Sequence, residues 1–148
     1  DTLSLHDALP IYLIENALRY GILAGQDAAE SSVFLGLRHV MQLPSPSVQP
    51  AAPHGYVELL VLDHGPGLSA EDCAAATQRF WRKTHQSHGS GLGLAIVQRI
   101  AQCCGGALQL MPRKDWLAQT QEKPEQSAKD CTGLVVRLYL PVAGCAEA

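Results

Sequence analysis

A two-layer α/β sandwich, with helices packed on one face of a sheet, is the fold class that this 148-residue sequence predicts. Three observations carry that expectation. IYLIENALRY (11–20) spaces Ile11, Ile14, Ala17 and Leu18 at i, i+3, i+6 and i+7, the pattern of an amphipathic helix. YVELLVLD (56–63) is a short apolar run closed by the turn HGPG, as expected of a well-buried strand. ALQLM (107–111) and GLVVRLYLP (133–141) read as two late strands that pair antiparallel.

The remaining elements follow in order. Gly21 ends the first helix, and SSVFLGLRHVMQL (31–43) contains a β-branched, apolar strand. PSPSVQPAAPHG (44–55) is too rich in proline for a central element and reads as a connection. SAEDCAAATQR (69–79) opens with Ser69 as a helix N-cap and places Asp72 in the first turn. Residues 80–90 read as a mobile polar loop. Leu92 to Cys104 returns to helical spacing and is stopped by Gly105-Gly106. The stretch 112–132 is polar and reads as loop.

Composition narrows the function classes. The length suits one domain, and 47% hydrophobic residues are enough to bury a core. A formal charge of −3 argues against a nucleic-acid partner. Five cysteines, including the adjacent Cys103 and Cys104, do not form a disulfide framework and point to a reducing compartment. Cys73, His85, His88 and the Cys103–Cys104 pair lack the C-x-x-C spacing of a zinc site. No apolar run reaches membrane-spanning length and no signal-peptide pattern occurs, so no membrane contact is expected from this stretch.

HGSGLGLAIVQRIA (88–101) sets Gly89, Gly91 and Gly93 at alternate positions directly before a helix. Glycine lets a ligand approach the main chain, and a helix start attracts anions. Two phosphate loops are excluded. In the dinucleotide fingerprint the third glycine would fall on Leu94 or Ile96, and the P-loop string G-x-x-x-x-G-K-S/T is absent.

LIENALRYG, VLDHGPGLS, RFWRK and GSGLGLAIVQRIA, in that order, resemble the ATP-binding domain of bacterial sensor histidine kinases, within the superfamily that also holds DNA gyrase, MutL-type repair proteins and heat-shock chaperones. The resemblance covers residues 12–141. It implies a Bergerat-type fold, a mixed and mainly antiparallel sheet under helices on one face, here N-terminally truncated. It also implies ATP and Mg²⁺. Asn16 matches the family's metal ligand, consistent with the oxygen preference of a hard cation. Arg19 matches a basic residue near the phosphates, and Tyr20 an aromatic near the adenine. Asp63 matches the aspartate that accepts a hydrogen bond from the adenine amino group, with Gly65 and Gly67 letting the turn pass close to the base. Phe80 matches the hydrophobic anchor of an ATP lid. Arg82 and Lys83 match phosphate-reaching cations, and Gly89, Gly91, Leu92 and Gly93 the lid hinge and phosphate cradle.

Departures from the family sit at the N-terminus. Tyr12 stands where histidine kinases usually carry a further asparagine and ATP-hydrolysing relatives a glutamate base, which argues against efficient hydrolysis. Residues 1–11, DTLSLHDALPI, read as foreign to the family, from a truncated or misassembled reading frame, with Pro10 interrupting the helix. His6 does not qualify as the phosphoacceptor, because its motif spacing is wrong and it lies only about 15 Å along a helix from Asn16. The resemblance therefore implies an incomplete histidine protein kinase with residues 142–148 as a tail. The expected partners are the dimerisation domain carrying the acceptor histidine and the receiver domain of a response regulator. The expected location is a cytoplasmic domain of a parent in the bacterial inner membrane. A degenerate nucleotide-binding module without kinase activity and an anti-sigma-type serine kinase remain the alternatives.

Overall fold

The computed structural model describes residues 5–21, 32–45, 51–82, 93–120 and 132–144. Within them the order is α1 (Leu5–Tyr20), β1 (Phe34–Val40), β2 (Tyr56–Leu62), α2 (Ala70–Ala75), α3 (Gly93–Cys103), β3 (Ala107–Pro112), α4 (Arg113–Thr120) and β4 (Leu134–Pro141). The four strands form one sheet in the order β1-β2-β4-β3, and every pairing is antiparallel. The expected α/β layering over an antiparallel sheet is therefore what the chain adopts. All four expected strands are present.

The main core lies between the sheet and the helices α1 and α3. Leu9, Leu13 and Ala17 line one stripe of α1 at i, i+4 and i+8, and Val97 and Ala101 do the same on α3. They meet Val61, Val136 and Leu138, which point to the same side of β2 and β4. Alternation along the strands sends Leu60, Leu62, Met111 and Val135 to the opposite side, where Trp116 of α4 packs on them.

Three local expectations change. The first helix begins at Leu5, not Ile11, and runs through Pro10. Only a short stretch of helix precedes that proline, so the lost hydrogen bond falls near the open N-terminal end, and burial of Leu9 and Leu13 holds the continuous helix in place. The buried face is correspondingly different: Leu9, Leu13 and Ala17 are inside, while Ile11 and Leu18 are exposed. Residues 113–120, read as loop, form α4, because Trp116 supplies the one contact that the polar sequence does not advertise.

The capping expectation holds. The Asp72 N–H donates to Ser69 Oγ at 3.0 Å, and Glu71 and Asp72 occupy the first turn of α2. That helix ends at Ala75, short of the 69–79 stretch that the cap was read as opening.

Candidate nucleotide site

Asp63 follows the last residue of β2, and the strand's burial carries it inward. It is one of two buried carboxylates among the described residues, with Glu58. Its Oδ1 accepts two backbone hydrogen bonds, from the N–H of Gly65 at 3.0 Å and from the N–H of Leu134 at 3.1 Å. The Asp63 N–H in turn donates to the Leu134 carbonyl at 3.1 Å. Burial pushes the carboxyl above the usual aspartate range, opposed by the two backbone donors and by the charges of His64 and Arg113.

Around this carboxylate the backbone is packed glycine on glycine. A Cβ at Gly21, just past α1, would lie 2.6 Å from Asp63 Cγ. One at Gly65 would lie 2.6 Å from the Gly21 backbone, and one at Gly67 would lie 2.6 Å from the Gly133 carbonyl oxygen. Gly67 (φ 67°) and Gly133 (φ 129°) also hold backbone angles that L side chains resist. The C-terminus of α1, the turn after β2 and the turn before β4 thus converge on one acid.

Of the residues expected in the site, Asp63, Gly65 and Gly67 come together here. Asn16 is half-buried on α1, one turn before Gly21, whose N–H donates to the Ala17 carbonyl at 2.7 Å. Arg19 and Tyr20 lie exposed on the last turn of the same helix. Gly93 opens α3, and a Cβ there would collide with the Tyr12 hydroxyl, so the Tyr12 ring reaches across to the first turn of α3. Burial raises the Tyr12 pKa, with the neighbouring Tyr20 adding to the rise. Phe80 is 71% exposed and adopts φ 63°, the only non-glycine positive φ among the described residues. Arg82 is half-buried. Lys83, Gly89, Gly91 and Leu92 lie outside the described residues, as do His85 and His88. Among the described residues no group of three or more metal-binding side chains forms. No helix among them is long and apolar enough to cross a membrane.

Gly21, Gly133, Leu134 and Arg113 were not singled out from the sequence. Gly21 read only as a helix stop. Gly133 carried a signal of its own, a glycine directly before an apolar strand, where a close approach of backbones is common.

The chain is an α/β layer over an antiparallel sheet, with a buried acid at the end of β2 ringed by glycines. Residues 11–144 match the family described as histidine kinase-, DNA gyrase B- and HSP90-like ATPase, and the chain belongs to that family. Among curated proteins it is similar to the signal transduction histidine-protein kinase/phosphatase MprB of Mycolicibacterium paratuberculosis, 44% identical over 57 residues, 37% of this chain and 11% of that protein. The sensor protein kinase CarS of Pseudomonas aeruginosa is 45% identical over 56 residues, 38% of this chain and 13% of its own. The matched stretch thus spans about a tenth of these relatives. Among solved structures, the mycobacterial sensor histidine kinase MprB shares the fold at a TM-score of 0.59 and 24% identity, covering 91% of this chain and 70% of that one. Full-length ShkA, solved in complex with AMPPNP, gives a TM-score of 0.60 at 20% identity, over 95% of this chain and 22% of its own.

Proposed function

We propose that the chain is the ATP-binding catalytic domain of a two-component sensor histidine kinase, presenting Mg-ATP so that its γ-phosphoryl group passes to a histidine on a separate dimerisation domain and onward to a response regulator's receiver domain. The observation that carries this reading is Asp63, a buried carboxylate whose Oδ1 is held by two backbone N–H groups, so that in this reading Oδ2 is the oxygen offered to the base. An exocyclic amino group satisfies that second oxygen. A base presenting a carbonyl there leaves the carboxylate unpaired and is rejected.

Asn16 offers an amide oxygen of the kind Mg²⁺ takes, and the metal when bound neutralises phosphate charge. Arg19, Arg82, Lys83 and the glycines at 89, 91 and 93, with Leu92 between them, supply cations and backbone N–H groups for the phosphates. The acceptor histidine is supplied from outside this chain. We read 12–141 as the domain and 142–148 as a tail; the expectation that residues 1–11 are foreign does not fit the part described, because α1 extends back to Leu5 and buries Leu9 in the same core. The parent is read as an inner-membrane sensor with this part in the cytoplasm.

One observation favours a second reading, a nucleotide-binding module without transfer. Tyr12 fills the space beside Gly93, at the helix start meant for phosphate. A single assay separates the two: labelled ATP with the chain alone, then with a histidine-bearing helical hairpin from a related kinase, in the native chain and in Tyr12→Asn. Label on the hairpin supports the kinase reading. Label appearing only with Tyr12→Asn supports the second. Label on the chain alone that vanishes in His6→Ala overturns the external acceptor.

A further inference from the structure

We propose that Arg113 is a positioning residue for Asp63, holding through the 132–134 turn the carboxylate that receives the base. The role rests on the nucleotide reading above. Arg113 opens α4, immediately after β3, and its backbone N–H donates to the Gly133 carbonyl at 3.0 Å. Its Nη1 donates to the Thr132 carbonyl at 3.4 Å, so backbone and side chain grip adjacent residues of one turn. The aliphatic stem closes the same contact: a Cβ at Gly133 would lie 3.3 Å from Arg113 Cδ, and it would also overlap the Asp63 carbonyl. The next residue is Leu134, the donor to Asp63 Oδ1. A rigid path therefore runs from the guanidinium to the carboxylate oxygen through three consecutive residues.

The side chain is otherwise hard to explain. Its Nε is buried and takes no hydrogen bond among the described residues, an expensive way to anchor a surface helix. A partly desolvated guanidinium is poorly screened by water, and its charge reaches the acid it stands behind. The charges acting on Asp63 are His64 from its own turn and, more weakly, Arg113 from α4. Arg113 holds the carboxylate toward its ionised form, against the burial that favours the neutral acid. An ionised Asp63 accepts at Oδ2, as an amino-bearing base requires. A protonated one presents an O–H there instead.

The test compares the native chain with Arg113→Gln, which keeps a donor and removes the charge, and Arg113→Lys, which keeps the charge. Carbon-13 NMR follows the Asp63 carboxyl across the acidic range without nucleotide, and calorimetry follows ADP affinity over the same range. Arg113→Gln is expected to move the carboxyl titration and the acid limb of the affinity profile to higher pH together. Arg113→Lys is expected to leave both near native. An Asp63 titration unmoved in Arg113→Gln, or an equal loss of ADP affinity at every pH, overturns the positioning role. Absence of ADP binding by the native chain overturns the nucleotide reading itself, a result distinguishable from either. Should Arg113→Gln fail to fold, a shifted titration in Arg113→Lys overturns the role and an unshifted one supports it, since that variant carries the same charge.

Discussion

Asp63 and Glu58 are both buried acids, yet burial leaves them in opposite electrostatic conditions. Asp63 has backbone donors and distant cations, and burial wins: its carboxyl is raised. Glu58 is opposed first by burial, but Arg137 and Arg38 at 3.1 and 3.0 Å from Oε2 outweigh it, and its carboxyl is lowered. The Arg137 guanidinium also lies 5.4 Å over the Tyr139 ring. The stability consequences differ in sign. A depressed carboxylate contributes stability above the ordinary carboxylate range that is lost as pH falls through its folded value, so Glu58 is a source of acid sensitivity. Arg38 is largely exposed and discounts its share of that contribution, whereas Arg137 is nearly buried. Glu58→Gln, which strands Arg137, should cost about 2 kcal/mol at neutral pH, less in acid, by denaturant melts. A raised carboxylate acts the other way, since the fold loses stability as pH rises from the ordinary aspartate range through the folded value. Asp63→Asn keeps an oxygen for the two backbone donors and removes the buried charge. It should melt no lower than the native chain at neutral pH while losing adenine-nucleotide affinity by about 1–3 kcal/mol in calorimetric titration. A variant that is both unstable and weak-binding would make Asp63 a structural acid instead.

At the scale of elements, what could be read in the chain depended on whether one face is apolar. β2 and β4 are apolar along nearly their whole length, and α3 keeps a clean stripe through Val97 and Ala101, so all three stood out. So did the Ser69 cap, whose signal is local. The start and the buried face of the first helix did not, nor did α4. In α1 the buried stripe of Leu9, Leu13 and Ala17 competes with an equally apolar exposed one, Ile11 and Leu18, and a proline sits between the turns. Periodicity alone cannot choose between two such faces; only the sheet beneath does. In α4 a single tryptophan carries the packing, and one residue has no period. The candidate site divides the same way. Asp63 and its flanking glycines form a contiguous motif, whereas Gly21 and Gly133 belong to it through contacts across the fold. The helical extension is measurable: Leu9→Ala should destabilise the chain by about 2–4 kcal/mol if the helix packs through Pro10. A change near zero in thermal or urea unfolding would detach residues 5–10 from the core.

On the scale of the whole molecule, the sheet is covered unevenly. β3 sits at one margin under contacts from α2, α3 and α4. Among the described residues β1 forms the other margin, pairs only with β2 and exposes Phe34, Leu35 and Leu37, the last at 73%. An open edge with apolar residues on both faces is a template for further strand pairing. The chain as it stands should therefore associate with increasing concentration, and Leu37→Lys should lower that association in sedimentation without changing the melting temperature. Equal sedimentation of the two would show that the edge is already satisfied.

The hydrogen bond from Leu134 to Asp63 spans 71 residues of sequence. Its consequence concerns time. As the chain leaves the ribosome, β2 and its acid emerge long before the strand that aims the carboxylate. Until β4 slots between β2 and β3, the central position in the sheet stays vacant and the acid has lost one of its two fixed donors. Nucleotide capture would thus report completion of the sheet, and a ligand that binds only the finished fold draws late folding events toward it by mass action.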